Sequence, residues 1–236
     1  MDKQIVLFIV EGESDKHSFE NILNHLVSSD VVKFKVIKGD ITVKSNKYTV
    51  TKKIKKKIEE FLNEPKNKYL TIKDICKIVH LVDLDGAFID NSKIVKHEKE
   101  NKCYKDGQYF VPNIENIIQR NKNKKEVIIK LKDTSFIPYQ SSCNANTSIV
   151  PYEIYYFSCN LEHVLHNDPN VESFKRKKEL SESFAEDYLG QEREFLKFIK
   201  NPLFATQVNY QESWEEAIKQ ENALVRSTNF NLFFKS

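Results

Sequence analysis

Four cysteines in 236 residues, Cys76, Cys103, Cys143 and Cys159, include no C-x-x-C pair. That spacing suggests neither a zinc site nor a disulfide framework, so they read as reduced thiols. No apolar run approaches the roughly 20 residues needed to span a bilayer. The first run is short and has no small-residue cleavage site behind it, so neither a membrane span nor a secretory leader is expected, and a cytoplasmic location is. A G-x-x-x-x-G-K-[ST] string is missing, and with it a P-loop ATPase within this sequence. No Ser-His-Asp or Cys-His spacing, internal repeat or low-complexity tract stands out. A strong charge of one sign is missing too: 37 Lys and Arg against 34 Asp and Glu leave +3, without the cationic field of a histone-like binder.

What is present is a soluble balance, 40% hydrophobic and 30% charged residues, and two acidic strings at informative places. Glu11-Gly12-Glu13-Ser14-Asp15 follows the apolar run 4–10, and Asp83-Leu84-Asp85-Gly86 follows the run 78–82. Both runs are short and β-branched, as strands of a parallel sheet covered on both faces are. Ligand sites in such sheets form beyond the carboxyl ends of the strands, so the two strings are expected to share one crevice. Carboxylates brought together repel unless a cation neutralises them. Magnesium, or manganese in its place, is the expected third party, as one ion or two.

Between the strings the pattern is β-α-β-α-β. Ser14 or Asp15 can cap a helix through His17, Phe19, Ile22, Leu23 and Leu26. Residues 31–37 alternate as a strand closed by Gly39-Asp40, and Val50, Ile54, Ile58, Phe61 and Leu62 line one side of a second helix that Pro65 stops. Residues 87–150 are irregular, with turns at 105–107 and 111–113 and a strand predicted at Val127–Leu131. A strong strand is predicted over 150–158 with a helix behind it, and from Val171 the text is helical. The predicted architecture is α/β: a mostly parallel sheet flanked by helices over 1–166, with the irregular insertion inside it, and a helical region over 167–236 packed against it.

Val10-Glu11-Gly12 after the first strand and Val82-Asp83-Leu84-Asp85 after the third, with Asp15 four residues past the glutamate, resemble a TOPRIM domain. This is the metal-dependent module of topoisomerases, primases, small maturation ribonucleases and overcoming-lysogenization-defect (OLD) nucleases. The resemblance covers about the first 90 residues and extends weakly to 157–165, which is similar to a strand-then-Glu helix of standalone antiphage TOPRIM proteins. It implies magnesium-dependent cleavage of DNA or RNA, transfer RNA included, in bacterial antiphage defence. It also implies roles: Glu11, Asp83 and Asp85 catalytic, with Glu11 as ligand or general base, and Glu11, Asp15, Asp83, Asp85 and Glu162 as candidate metal ligands. A separate ATPase is a candidate partner, since many OLD-type nucleases work with one, and a second copy of the chain is another.

The lysines at 47–57 form a basic stretch; Lys52, Lys53 and Lys56, with Lys130, Lys132, Lys175 and Arg176, are the candidate phosphate contacts, against the plainer reading of solvated helix faces. Two rival functions remain open. Strand then Asp-x-Asp-Gly is also the first motif of haloacid-dehalogenase-type phosphatases, with Asp83 as nucleophile and Asp85 as general acid, although Ala87 and the late position of the strand depart from it. A non-catalytic regulatory subunit of an ATPase complex is the other. The side chains of Glu13 and Glu162 read more readily as surface residues, His80 as a core histidine, and the His163-x-x-His166 pair as a helix face rather than a metal site.

Overall fold

The computed structural model describes residues 5–27, 32–36, 41–42, 49–98, 101–140 and 147–235, with the backbone alone for 32, 34–36 and 235. Gly39, Asp40, Lys47 and Cys143 lie outside them.

Five strands form a mixed sheet in the order β2-β1-β3-β8-β7. Strand β1 (Ile5–Val10) is paired in parallel on both sides, with β2 (Val32–Val36) and with β3 (Ile75–Asp83). All six of its residues are buried, which is why it reads as an unbroken apolar run rather than an alternation. β3 continues in parallel to β8 (Thr147–Phe157), and β7 (Phe136–Gln140) closes the edge antiparallel to β8. From β1 the chain steps one way to β2 and then back across to β3 on the other flank. Right-handed crossovers in opposite directions place their helices on opposite faces. Accordingly α1 (Glu13–Leu26) buries Phe19, Ile22 and Leu23 on the face of Val6, Phe8 and Val10, whereas α2 (Val50–Leu62) buries Val50, Ile54, Ile58 and Phe61 on the face of Leu7 and Ile9.

Residues 87–150 hold more order than the sequence suggests. A small sheet of order β4-β6-β5, from β4 (Ile94–Lys96), β5 (Cys103–Lys105) and β6 (Gln108–Val111), precedes a 19-residue helix, α3 (Ile114–Lys132). The strand predicted at Val127–Leu131 is thus the last turn and a half of α3. Its β-branched residues are apolar enough for a strand, but Ile117, Asn121, Lys124, Val127, Ile128 and Leu131 are its buried positions, and that three-to-four spacing is helical. Two 3-10 turns, Pro65–Asn67 and Ile72–Asp74, link α2 to β3.

After β8 come α4 (Leu161–His166), α5 (Phe174–Asp187), α6 (Glu192–Ile199) and α7 (Tyr210–Ala217). Phe184, Phe195, Ile199, Phe204 and Phe230 join Phe8, Phe19 and Phe157 in one core on the α1 face, while Trp214 joins the core on the α2 and α3 face. The chain's last stretch also ties itself to the exit of β8: Thr228 Oγ1 donates to the Tyr156 carbonyl at 2.6 Å and Ser158 N–H to the Ser227 carbonyl at 3.0 Å. No helix among the described residues is long and apolar enough to cross a membrane.

Candidate functional site

The reversal of direction after β2 makes the gap between β1 and β3 a topological switch point, where the helices on either side leave by opposite faces and a crevice opens at the carboxyl ends. Glu11 is the first residue past β1 and Asp83 the last of β3, so adjacency of the two strands brings together residues 72 positions apart. β8 then supplies a third approach: Asp83 is in register with Phe157, and five residues later Glu162 sits in the first turn of α4.

Local hydrogen bonding shapes the first string. Gly12 is the N-cap of α1, and the cap-side donors are met from inside the helix: Asp15 Oδ2 accepts from the N–H of Gly12 at 2.9 Å and of Glu11 at 3.1 Å. Asp15 therefore caps, though from the third helical position rather than the first. Glu13 is exposed, and His17, counted above with the apolar face of α1, is exposed at the crevice instead.

The crevice is a cavity of about 500 Å³ between the first turn of α1 and helix α5. Glu11, Asp15 and Asp83 line it from the sheet side; Phe174, Lys177 and Lys178 line it from α5. Glu162, read from the sequence as a surface residue, is 4% exposed. Lys177 donates to it with both carboxylate oxygens 3.1 Å from Nζ. The charges act on one another. Burial pushes the Asp83 carboxyl well above its usual range, and Glu11, Asp15, Asp85 and Glu162 push it further. Asp15 is pushed up to about 6, first by burial and also by Glu162, although the Gly12 N–H and Lys177 pull the other way. Burial opposes the charge on Lys177, yet Glu162, Asp83 and Asp15 together outweigh it and raise its pKa.

Asp85 belongs to a different neighbourhood. Its carboxylate is 2.6 Å from Lys124 Nζ and 3.7 Å from an Arg120 nitrogen, both on α3. Like Glu162 it is not among the residues that line the crevice, but Glu162 is tied to the crevice wall through Lys177 whereas Asp85 is tied to α3. Neither α3 residue was a candidate from the sequence. Only a pattern linking 85 to 120 and 124 across a segment read as irregular would have exposed them.

The basic residues proposed to meet phosphate are not gathered. Lys52, Lys53 and Lys56 sit on α2 and Lys130 and Lys132 on α3, in the layer opposite α1 and α5. The α3 pair is also at the wrong end of the sheet: the next strand begins at Phe136, which pairs with Pro151, six residues and about 20 Å before Phe157 along β8. Lys175 and Arg176 are on α5, exposed and ion-paired with Glu179 at 4.0 and 3.4 Å. The lysines that do line the crevice, Lys177 and Lys178, are their immediate neighbours.

No family model, curated protein or solved structure matches the chain.

Other features are structural. A second cavity of about 450 Å³ is lined by Lys132, Tyr152 and Tyr210, and its carboxylates Asp133 and Glu153 are already ion-paired with Lys132 and Lys77. His80 is buried within β3 with Nδ1 2.7 Å from the Tyr152 hydroxyl. His163 is buried with Nδ1 3.4 Å from Ser158 Oγ, and burial pulls it down to about 4. Tyr152, Tyr155, Tyr156 and Phe157 are all packed inside, which leaves no face for base stacking.

Among the described residues, no three His, Cys, Asp or Glu side chains stand as a ready ligand set. The donor chemistry nonetheless fits a hard divalent cation: the carboxylates of Glu11, Asp15, Asp83 and Glu162 offer oxygen only, and they repel one another. In this structure the ammonium of Lys177 meets part of that excess.

Proposed function

We propose that this crevice holds one or two magnesium or manganese ions and cleaves phosphodiester bonds of nucleic acid. The observation that carries the reading is the meeting of Glu11 and Asp83 at neighbouring strand ends of the switch point, with Asp15 and Glu162 beside them. Glu11, Asp15, Asp83 and Glu162 are the residues that would hold the cation. Bound there, it supplies charge stabilisation at the scissile phosphate and a more acidic water.

The chain's own groups do the rest. Burial raises Asp15, to about 6, and Asp83, and a cation held there would displace those protons and keep both carboxylates ionised. Glu11, at the mouth of β1, is the ligand or the base that takes the proton of the attacking water. Lys177 must leave Glu162 for that carboxylate to serve a cation, and its ammonium is then placed to meet a phosphate oxygen. Glycine at position 12 keeps this wall of the crevice low. Its φ of −131° is one any residue adopts, and an added Cβ would meet nothing closer than Ser14 Oγ at 3.5 Å. The fold therefore does not demand glycine there, and access to the carboxylates is the better reason for it.

The phosphatase reading needs Asp85 beside Asp83 in one crevice as the general acid. The Lys124 contact on the α3 side draws Asp85 away from that role, as it does from the ligand role the TOPRIM resemblance implies. What favours the nuclease is Glu11 beside Asp83, which the phosphatase reading leaves without a part. Purified chain should be incubated with end-labelled DNA and with total RNA in magnesium, manganese or chelator, beside Glu11→Gln and Asp83→Asn. Metal-dependent products lost in both variants are expected. No metal-dependent product from either nucleic acid, or undiminished cleavage by the variants, would overturn the reading.

A further inference from the structure

The second aspartate of the Asp-x-Asp string sits in a turn with unusual demands. Asp85 and Gly86 both have positive φ, 50° and 63°, a conformation that costs a non-glycine residue free energy unless its surroundings hold it. Four contacts do so. The Asp85 N–H donates to the Cys159 carbonyl at 2.8 Å, and an Arg120 guanidinium nitrogen donates to the Asp85 carbonyl at 2.6 Å. On the side chain, Lys124 Nζ lies 2.6 Å from Oδ2 and Arg120 3.7 Å. The Lys124 side chain has no exposed surface and that of Arg120 is 14% exposed, so both cations meet the Asp85 carboxylate inside the protein, and Arg120 also donates to Asn121 Oδ1 at 2.7 and 3.0 Å. Cations so placed are costly to bury unless a carboxylate meets them.

We propose that Asp85 is a positioning residue and not a cation ligand: locked to Lys124 and Arg120, it fixes the left-handed turn that aims Asp83 into the crevice. The inference rests on the cation-site reading of that crevice and divides the Asp-x-Asp string by role. Asp83 lies among the charges of Glu11, Asp15 and Glu162 and also feels that of Asp85; the Asp85 carboxylate itself is engaged by α3 and holds the backbone of the turn. The residue type is explained by both demands at once, because aspartate and asparagine tolerate the left-handed region better than other side chains and only aspartate brings the charge.

The test uses that tolerance. Asp85→Asn keeps the turn preference and removes the charge, leaving Lys124 buried without it; Lys124→Met removes the buried cation; the double variant removes both. Manganese affinity by titration calorimetry and the melting temperature in chelator are measured for all four chains. A positioning role predicts that Asp85→Asn weakens manganese binding by roughly tenfold, the scale of coupling inside one buried network, and lowers the melting temperature. The double variant recovers to within about threefold of wild type, since removing both charges of a buried pair is tolerated better than removing one, and Arg120 keeps its contacts to Asn121 Oδ1.

A double variant as weak in manganese binding as Asp85→Asn would show that Asp85 itself holds the cation. An Asp85→Asn chain that matches wild type, or a double variant that does not fold, would equally overturn the proposal. If wild type binds no manganese, the cation reading of the crevice falls, and the melting temperatures alone decide on the clamp by the same pattern of loss and recovery.

Discussion

Lys177 reaches from α5 to place its ammonium 3.1 Å from both carboxylate oxygens of Glu162, a residue fifteen positions earlier in α4. That contact joins the two helices at the rim of the crevice and keeps a 4%-exposed glutamate from standing as an uncompensated charge. Lys177→Met should therefore destabilise the chain in chelator at pH 7 by about 1–2 kcal/mol, the partly exposed lysine holding the loss below that of a wholly buried pair. Added manganese should restore more stability to this variant than to wild type, because the ion takes over the missing charge. Thermal melts with and without manganese read both effects, and a variant as stable as wild type in chelator would contradict the account.

The raised carboxyls set a pH dependence for cation binding. The ion needs carboxylates, and a carboxyl with a raised pKa takes up its proton at a higher pH than an ordinary one. With Asp15 at about 6 and Asp83 pushed well up, manganese affinity should fall as the pH drops through 6, by about tenfold per unit for each proton displaced. The manganese concentration giving half-maximal thermal stabilisation, followed from pH 7.5 to 5, measures this. Affinity unchanged down to pH 5 would mean that these carboxyls are not the ligands.

His163 titrates with the opposite sign. Its folded pKa, near 4, lies below the ordinary 6.5 because burial disfavours the imidazolium. The unfolded chain thus binds the proton first, and the stability due to neutral His163 is lost as the pH falls from 6.5 towards 4. His163→Gln should flatten this acid limb, with a difference of about 2 kcal/mol between pH 7 and 4.5. Urea melts at stepped pH test it, and parallel pH profiles for wild type and variant would refute it.

Two glycines should respond differently to alanine. Gly86 has a φ of 63°, and a Cβ there would stand 3.0 Å from Leu224 Cδ2 and 3.2 Å from Tyr104 Cε1; Gly86→Ala should cost about 1–3 kcal/mol. Gly12→Ala meets neither strain nor crowding and should leave the melting temperature nearly unchanged while slowing cleavage, because the methyl group stands in the crevice wall. A Gly12→Ala chain with full activity would argue against close approach of substrate at that wall.

The halves of the site differed in how legible they were. Strand ends followed by acids are local patterns, so β1, β3, Glu11 and Asp83 could be read directly, and the β-α-β-α-β order was enough to expect them at one crevice. What escaped was set by contacts distant in sequence. Asp85 looked like a partner of Asp83 because they are two residues apart, whereas Lys124, 39 residues on, decides where its carboxylate goes. Lys177 was invisible among the charges of α5, and Glu162 looked like an ordinary first-turn acid until burial gave it a role. α3 was misread because Val127, Ile128 and Ile129 satisfy strand propensity, and the helical spacing shows only when Lys124 is counted as a buried position.

The central claim is that the carboxylates of Glu11, Asp15, Asp83 and Glu162 form one divalent-cation site. Titration of manganese into wild type and Asp83→Asn at pH 7.5, followed by calorimetry, tests it most directly. Saturable binding by wild type that is lost or weakened at least tenfold in Asp83→Asn, about 1.4 kcal/mol, is the predicted result. Equal binding by the two chains, or none by wild type, would contradict it.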